Sequence, residues 1–407
     1  MKLFLYIVIA LVVVVLSFGW YAVESAPGPS SQDFSLEAAD EAITSFNEIY
    51  RGEVVEIISQ NIQDDPRLSR FSGMVQVRLA SGPDAGKEVE VSYDDPLIDA
   101  KSQEVKTGDS IVIGKIETPD EISYVMIDRY RLPVLAYATI LFLILAIIFG
   151  RLRGLTSVIG LGVSVLVLLF FVTPNILEGK NPVLVVSIGA GVIALLTMFL
   201  AHGFNRRALL AIVSTVLALG LAEGLGYGLI VASKLLGNGS EEAFYLQAGY
   251  FGSINLQGLL LAGIIIGTLG ILNDVTIAQS AAVEELHDTN PKLGFRELYS
   301  KGLSIGREHI ASLINTLVLV YVGASLPLFL LFSVNTNQLW PVLNSATIAE
   351  EIIRTLVGSM ALIIAVPITT ALSAYYFVTE INKTPAASAP VKDGDDYWDK
   401  AKNIFAK

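Results

Sequence analysis

The stretch Ala208-Leu-Leu-Ala-Ile-Val-Ser-Thr-Val-Leu-Ala-Leu-Gly-Leu-Ala-Glu-Gly-Leu-Gly-Tyr-Gly-Leu-Ile-Val-Ala232 contains one charged residue, Glu223. A helix rises ~1.5 Å per residue and the hydrocarbon layer is ~30 Å thick, so about 20 apolar residues suffice to cross it. This run is long enough to span a bilayer. Residues 3–23, 132–150, 155–172, 182–201, 248–272, 310–334 and 355–378 meet or approach the same requirement, which predicts about eight transmembrane helices. The whole chain agrees: 53% of its 407 residues are hydrophobic and 16% charged, with a mean hydropathy of +0.60. An ordinary soluble enzyme is excluded.

Further classes fall with the cysteine and histidine counts. No cysteine is present, which removes disulfides, thiolate nucleophiles and thiolate metal sites, and the three histidines are far apart with no HExxH pattern. Neither a phosphate-binding glycine loop nor a Gly-x-Ser-x-Gly elbow occurs, so the reading is of a chain that is not an enzyme and needs no cofactor; a metal site is left open. The net charge of −12 is localised: residues 24–131 hold 22 acidic and 10 basic side chains, the remainder 17 of each. Without a basic patch, nucleic-acid binding is excluded.

Working outward along the chain, residues 1–23 read as a retained transmembrane anchor, 24–50 as a linker opening on Ala26-Pro-Gly-Pro-Ser-Ser31 with a short helix over 36–50, and 51–131 as a small β domain. Strands are expected at 54–58, 73–79, 87–92, 110–116 and 123–127, with turns at Ser81-Gly-Pro-Asp-Ala-Gly86 and Lys106-Thr-Gly-Asp109. Five short strands suggest an OB or SH3-like barrel. Residues 132–378 form a seven-helix bundle with a connector at 274–309, and 379–407 a tail with a short surface helix. Arg151 and Arg153, Arg206 and Arg207, and Lys292, Arg296, Lys301 and Arg307 occupy loops of one parity, which places those loops and both termini in the cytoplasm and the β domain outside.

The Gly-Lys-Glu-Val and Lys-Thr-Gly-Asp-Ser-Ile-Val-Ile segments of the external domain, and above all Gly267-Thr-Leu-Gly-Ile-Leu-Asn-Asp-Val-Thr-Ile-Ala-Gln-Ser-Ala-Ala-Val-Glu-Glu-Leu286 with Ser304-Ile-Gly-Arg-Glu-His-Ile310, resemble the YibE/F family. The resemblance implies a multispanning protein of the bacterial plasma membrane whose activity is unsettled. A weaker, partial likeness, to SecD/SecF-type proton-driven bundles, rests on the order of an Asn273-Asp274 span end, a following helix and two closing spans.

Several polar residues invite a functional reading beside a bland one. Glu223 lies about 22 Å along its helix from Ala208. Burying its charge costs ~3 kcal/mol on insertion scales, so it must face protein or water. It is either a proton or cation site or a structural carboxylate bonded to a neighbouring hydroxyl. Gly220, Gly224, Gly226 and Gly228 around it, like the series Gly252, Gly258, Gly263, Gly267 and Gly270, would allow close helix approach. Asn273 and Asp274 either mark an interface or face a neighbour along a helix that continues to Leu286; in the sharper reading Arg307 pairs with Asp274 across the cytoplasmic mouth. Glu284 and Glu285 read as solvated, His202 as an interface residue, and His287 as part of the connector. Asn315 and Thr316 need hydrogen-bond partners within the membrane, and Thr369 and Thr370 follow Pro367, whose missing N–H frees an upstream carbonyl.

Together these residues suggest a secondary transporter or exporter of a small solute or ion, with proton coupling. The alternative is an envelope assembly factor or sensor that binds a protein through its barrel. The implied partners are the lipid bilayer, that solute or ion, an envelope protein at the β domain, and a second copy of the chain.

Overall fold

The computed structural model describes residues 48–65, 68–95, 105–117, 122–248, 254–335 and 339–381. The expected first span, the linker, most of the 36–50 helix and the tail beyond 381 lie outside the described residues. The described residues fall into two compact units, one ending at Arg151 and one beginning at Leu152.

In the first unit, strands β1 (Glu48–Asp65), β2 (Leu68–Leu79), β3 (Glu88–Asp95), β4 (Ser110–Glu117) and β5 (Ile122–Arg129) close in the order β1-β2-β3-β5-β4. Only the β3–β5 pairing is parallel. Of the two expected barrel types this is the OB kind, and closure removes the exposed edges. Alternation supplies the core: Val75, Val77 and Leu79 of β2, Val91 and Tyr93 of β3, and Ile111 and Ile113 of β4 all turn inward. Residues 48–50, expected to end a helix, instead open β1. The reason is pairing: Ile49 and Tyr50 lie opposite Gly114 and Ile113, which places Tyr50 in the core and overrides local helix preference. Gly52 is required next to it, since a Cβ there would sit 2.3 Å from Val77 Cγ1.

The phenol of Tyr50 donates to the Glu48 carboxylate. That bond, with burial and the charge on Glu48, pushes the Tyr50 pKa up from 10.0 to about 12. A pKa raised by folding stabilises the barrel fully below the ordinary value and ceases to do so once the folded value is passed. The barrel of the full chain is therefore expected to lose stability as pH rises from 10 to 12, a loss that Y50F removes; unfolding followed by circular dichroism across that range checks it.

The second unit is helical, and its first helix begins in the preceding one. The elements are α1 (Leu132–Val167), a π-helical turn (Leu168–Val172), α2 (Thr173–Leu177), α3 (Pro182–His202), α4 (Arg206–Ala232), α5 (Glu241–Ala248), α6 (Leu256–Thr289), α7 (Phe295–Ala324), α8 (Leu326–Asn335), α9 (Leu339–Leu343) and α10 (Ala346–Ile381). Among the described residues five helices are long and apolar enough to cross a membrane: Leu132–Leu177, Pro182–His202, Arg206–Ala232, Leu256–Thr289 and Ala346–Thr379. The first is interrupted at Arg151, whose φ of 50° and ψ of −136° lie outside the helical region. This break falls between the two spans expected at 132–150 and 155–172. The span expected at 310–334 is divided between α7 and α8. Three helix starts are set by asparagine caps, Asn181, Asn205 and Asn255, whose side chains accept backbone N–H groups of the first turn. Asn255 thus starts α6 at Leu256 rather than at residue 248.

Helix α6 is the hub, packing against α3, α4, α7 and α10. It runs unbroken to Thr289, so the expected connector at 274–309 is largely a hairpin of two helices, α6 and α7, turning at 290–294. On α7, Gly302 and Gly306 bring the backbone against α6 and α10: a Cβ at Gly306 would lie 2.3 Å from Val366 Cγ1 and 3.0 Å from Gln279 Oε1. G306A is expected to lower stability by about 1–3 kcal/mol, read as a lower thermal unfolding temperature in detergent.

Candidate functional site: a polar seam along helix α6

Helix α6 carries Thr268, Thr276, Gln279, Ser280 and His287 in buried positions. Thr215 of α4 and Thr370 and Ser373 of α10, also buried, meet them, and Ser214 of α4 and Glu350, Ser359 and Thr369 of α10 are further buried polar side chains on the same two helices. Inside apolar surroundings such groups must bond to one another or to backbone. Thr215 and Thr276 share a hydrogen bond of 2.8 Å between Oγ1 atoms. Ser373 donates to Ser280 Oγ at 3.2 Å. The Gln279 amide nitrogen donates to Gly302 O and to Thr370 Oγ1, both at 2.8 Å. Since a carbonyl oxygen can only accept, the orientation of that amide is set by Gly302. Gln279 therefore ties α6 to α7 and α10 at once.

The seam is not fully satisfied. Thr268 Oγ1, Ser359 Oγ, Gln279 Oε1 and His287 Nε2 are buried without a hydrogen-bond partner. His287 stacks on Phe377, ring centroids 5.7 Å apart, so it belongs to the packed end of α6 rather than to a loop. Between the polar layer at Thr268 and Ser359 and that at Thr276 and Gln279 lies an apolar one of Leu269, Leu272, Leu362 and Val366, all buried.

The residues singled out from the sequence divide into three groups. Glu223, half-buried, accepts a hydrogen bond from Ser187 Oγ of α3 at 3.0 Å. Asn273 donates to Thr197 Oγ1, also on α3, at 3.3 Å, and Asp274 faces His202 at the end of that helix. Ser187 and Thr197 are separated by about 15 Å along α3, so Glu223 and Asn273 do not form one site. Thr369 and Thr370 belong to the seam; each donates to a carbonyl of its own helix, Ala365 O at 2.8 Å and Val366 O at 2.7 Å, in a helix that continues through Pro367. Arg307, Asn315 and Thr316 are exposed on α7.

Four expectations are corrected. Among the described residues no ion pair joins Asp274 to Arg307. Asp274 lies on the side of α6 that meets α3, whereas α7 approaches the side carrying Gln279. Arg207 lies at that mouth with its Nη1 3.6 Å from Glu284 Oε2, so Glu284 is paired rather than simply solvated. Thr316 bonds to Ser312 O of its own helix at 3.2 Å, with no neighbouring helix needed. Nor do the glycine series act as units: a Cβ at Gly226 would lie 2.8 Å from Leu261 Cδ1, while nothing approaches Gly220, Gly224, Gly228, Gly263 or Gly270 within 4 Å.

Sequence reasoning missed Gln279 and Glu350. The Glu350 carboxylate is buried and accepts the Gly239 N–H at 3.1 Å, beside the Glu351–Arg354 pair at 2.6 Å. The available signal was the stripe Glu350, Ile353, Val357, Ala361, which continues the buried face of α10 upstream of Thr355.

A small OB-type barrel together with a bundle of membrane-span-like helices around a polar seam defines a class of multispanning helical protein carrying a β module. A family model described as YibE/F-like protein matches residues 138–379. That is more than half of the chain, and the chain belongs to this family; the match covers α4, α6 and α7 whole and α10 but for its last two residues. No curated protein matches, and no solved structure matches.

Replacing Thr215 and Thr276 by valine, singly and together, is expected to give a coupling energy of about 0.5–1.5 kcal/mol. A double-mutant cycle on thermal or denaturant unfolding measures it, and additive effects would show that the bond contributes nothing.

Proposed function

We propose that this protein is a secondary transporter or exporter of a small solute or ion in the bacterial plasma membrane, coupled to protons, with Glu223 as its ionisable site. One observation carries this reading. Ser187 Oγ lies 2.8 Å from Val183 O and 3.0 Å from Glu223 Oε2, so two acceptors compete for one hydroxyl hydrogen. A proton on Glu223 resolves the conflict, because the carboxyl then donates to Ser187 while Ser187 donates to Val183. The arrangement gives an ionisable side chain inside the bundle a defined protein partner on α3.

The topology proposed with it has eight spans, with basic loops and both termini cytoplasmic and the barrel outside. The helix Leu132–Leu177 supports two crossings: its 46 residues would extend about 69 Å, twice the hydrocarbon thickness, and the break at Arg151 divides it.

The assembly-factor reading draws on the barrel. Ile49 and Met74 are exposed apolar side chains of the barrel, which suits them to contact with a protein partner.

Glu223→Gln separates the two. Its amide still reaches Ser187 but cannot be ionised. In reconstituted vesicles under an imposed pH gradient, solute or ion flux is expected to fall at least about tenfold, the equivalent of losing a single charged interaction, with the variant still monodisperse. Undiminished flux would overturn the role of Glu223. An absence of flux in both proteins, with partner binding lost on I49E/M74E, would favour assembly.

A further inference from the structure

Where α3 stops and α4 begins, three basic side chains from three helices converge. Arg153 comes from α1, His202 is the last residue of α3, and Arg207 lies in the first turn of α4. With Ile277, Ala278 and Ala281 of α6 they line a cleft of about 270 Å³. Its rim is cationic and its floor apolar, and its lining includes no acidic side chain among the described residues. Two carboxylates act from the margins. Glu284 approaches Arg207 at 3.6 Å, and Asp274, one helical turn along α6 from Ala278, acts on His202. Neither consumes the donors of the cleft: an arginine has five N–H groups in a rigid fork and stays charged at any accessible pH, and a neutral imidazole retains one N–H.

Location narrows the chemistry. The apolar run of α3 ends at His202 and charge begins at Arg206, so the cleft sits where a membrane helix meets the headgroup layer. Guanidinium forks bind the oxygens of carboxylates and phosphates, and at the headgroup layer the anion at hand is phosphate. The volume is slightly below the roughly 300–1,000 Å³ of sites for drug-sized ligands, enough for a phosphate and the few atoms attached to it. The floor of Ile277, Ala278 and Ala281 offers apolar surface to whatever the phosphate esterifies.

We propose that this cleft binds a phosphate group, with Arg153 and Arg207 holding its oxygens, His202 contributing a further hydrogen bond, and the α6 floor packing against the adjoining apolar atoms. The phosphate belongs either to a lipid headgroup or to a soluble phosphate compound. This assignment does not depend on the transport reading, since Glu223 lies elsewhere on α4 and bonds to Ser187.

The test uses the full chain in detergent micelles, with native mass spectrometry as the readout. Phosphatidylglycerol, a galactolipid lacking phosphate, and inorganic phosphate are each titrated in. Retention of phosphatidylglycerol but not of the galactolipid is expected, and R153Q/R207Q should reduce it about tenfold or more, as for the loss of one or two charge-assisted hydrogen bonds. R296Q/K301Q, which removes two positive charges from α7, should leave it unchanged. If inorganic phosphate binds with the same arginine dependence and displaces the lipid, the proposal stands with a soluble source; if it does neither, the source is the headgroup. R153Q alone leaves the Arg207–Glu284 pair intact and should give an intermediate loss, which keeps the test decisive should the double variant not fold. Equal retention of both lipids, retention insensitive to the arginines, or no binding of lipid or phosphate would each overturn the proposal.

Discussion

A hydroxyl or amide inside a bundle of apolar helices can be satisfied only by its own backbone or by a neighbouring helix, and much of this structure follows from that requirement. Helix α6 concentrates it. Its apolar positions, Leu261, Ile264, Ile265, Leu269 and Leu272, would pack acceptably in many rotations against α3, α4 and α10. Its polar positions are far more selective. Thr276 bonds to Thr215, Ser280 to Ser373, and Gln279 to both Gly302 O and Thr370, so a rotation or one-turn slip of α6 would break these bonds together and leave the Gln279 amide without partners. Hydrophobic burial holds the helices in contact, while the hydrogen bonds select one arrangement among many similar ones.

The same requirement explains why α7 must come so close. Gln279 reaches the Gly302 carbonyl only because glycines at 302 and 306 leave its side chain room between the two helices. Donor and glycines form one device, in which neither part is useful alone. Its cost is visible at Gln279 Oε1, which is buried with no hydrogen-bond partner. Leaving such an atom unpaired costs about 1–3 kcal/mol.

Much of the fold was legible because composition and period report directly on burial. Apolar runs located α3, α4, α6 and α10, and alternating or β-rich stretches between turns located all five strands. What escaped was set by contacts distant in sequence. Tyr50 is a strand residue because Ile113 lies opposite it; Asn255 begins a helix that hydropathy alone would start earlier. For the site, a lone charge such as Glu223 stands out in an apolar run, whereas Gln279 is neutral and sits in a stretch that also holds Asn, Thr and Ser, with nothing to mark it as the residue that meets two helices. Asp274 and Arg307 suggested a pair by charge and by proximity to one mouth, but helical rotation sets them on different sides of the bundle. Sequence spacing gives the rotation of one helix about its own axis; it leaves undetermined which neighbour occupies each face.

The apolar layer through the middle of the seam bears on how any transport would proceed. Thr268 and Thr276 are eight positions apart on α6, about 12 Å along the axis, and Leu269, Leu272, Leu362 and Val366 close the space between them. Under the transport reading proposed above, conduction along the seam would require α10 or α7 to withdraw from α6 at this level. Val366 is the side chain that meets Gly306, and Thr370, one turn on, is the one that meets Gln279, so the contact that must open is continuous with the one that fixes α7 in place. Glu223 lies apart from it, against α3. Two routes join the Glu223 side to the seam: α4, which bonds to α3 through Glu223 and to α6 through Thr215, and the direct bond between α3 and α6 from Asn273 to Thr197, so a shift of α3 or α4 relative to α6 would be felt at both places.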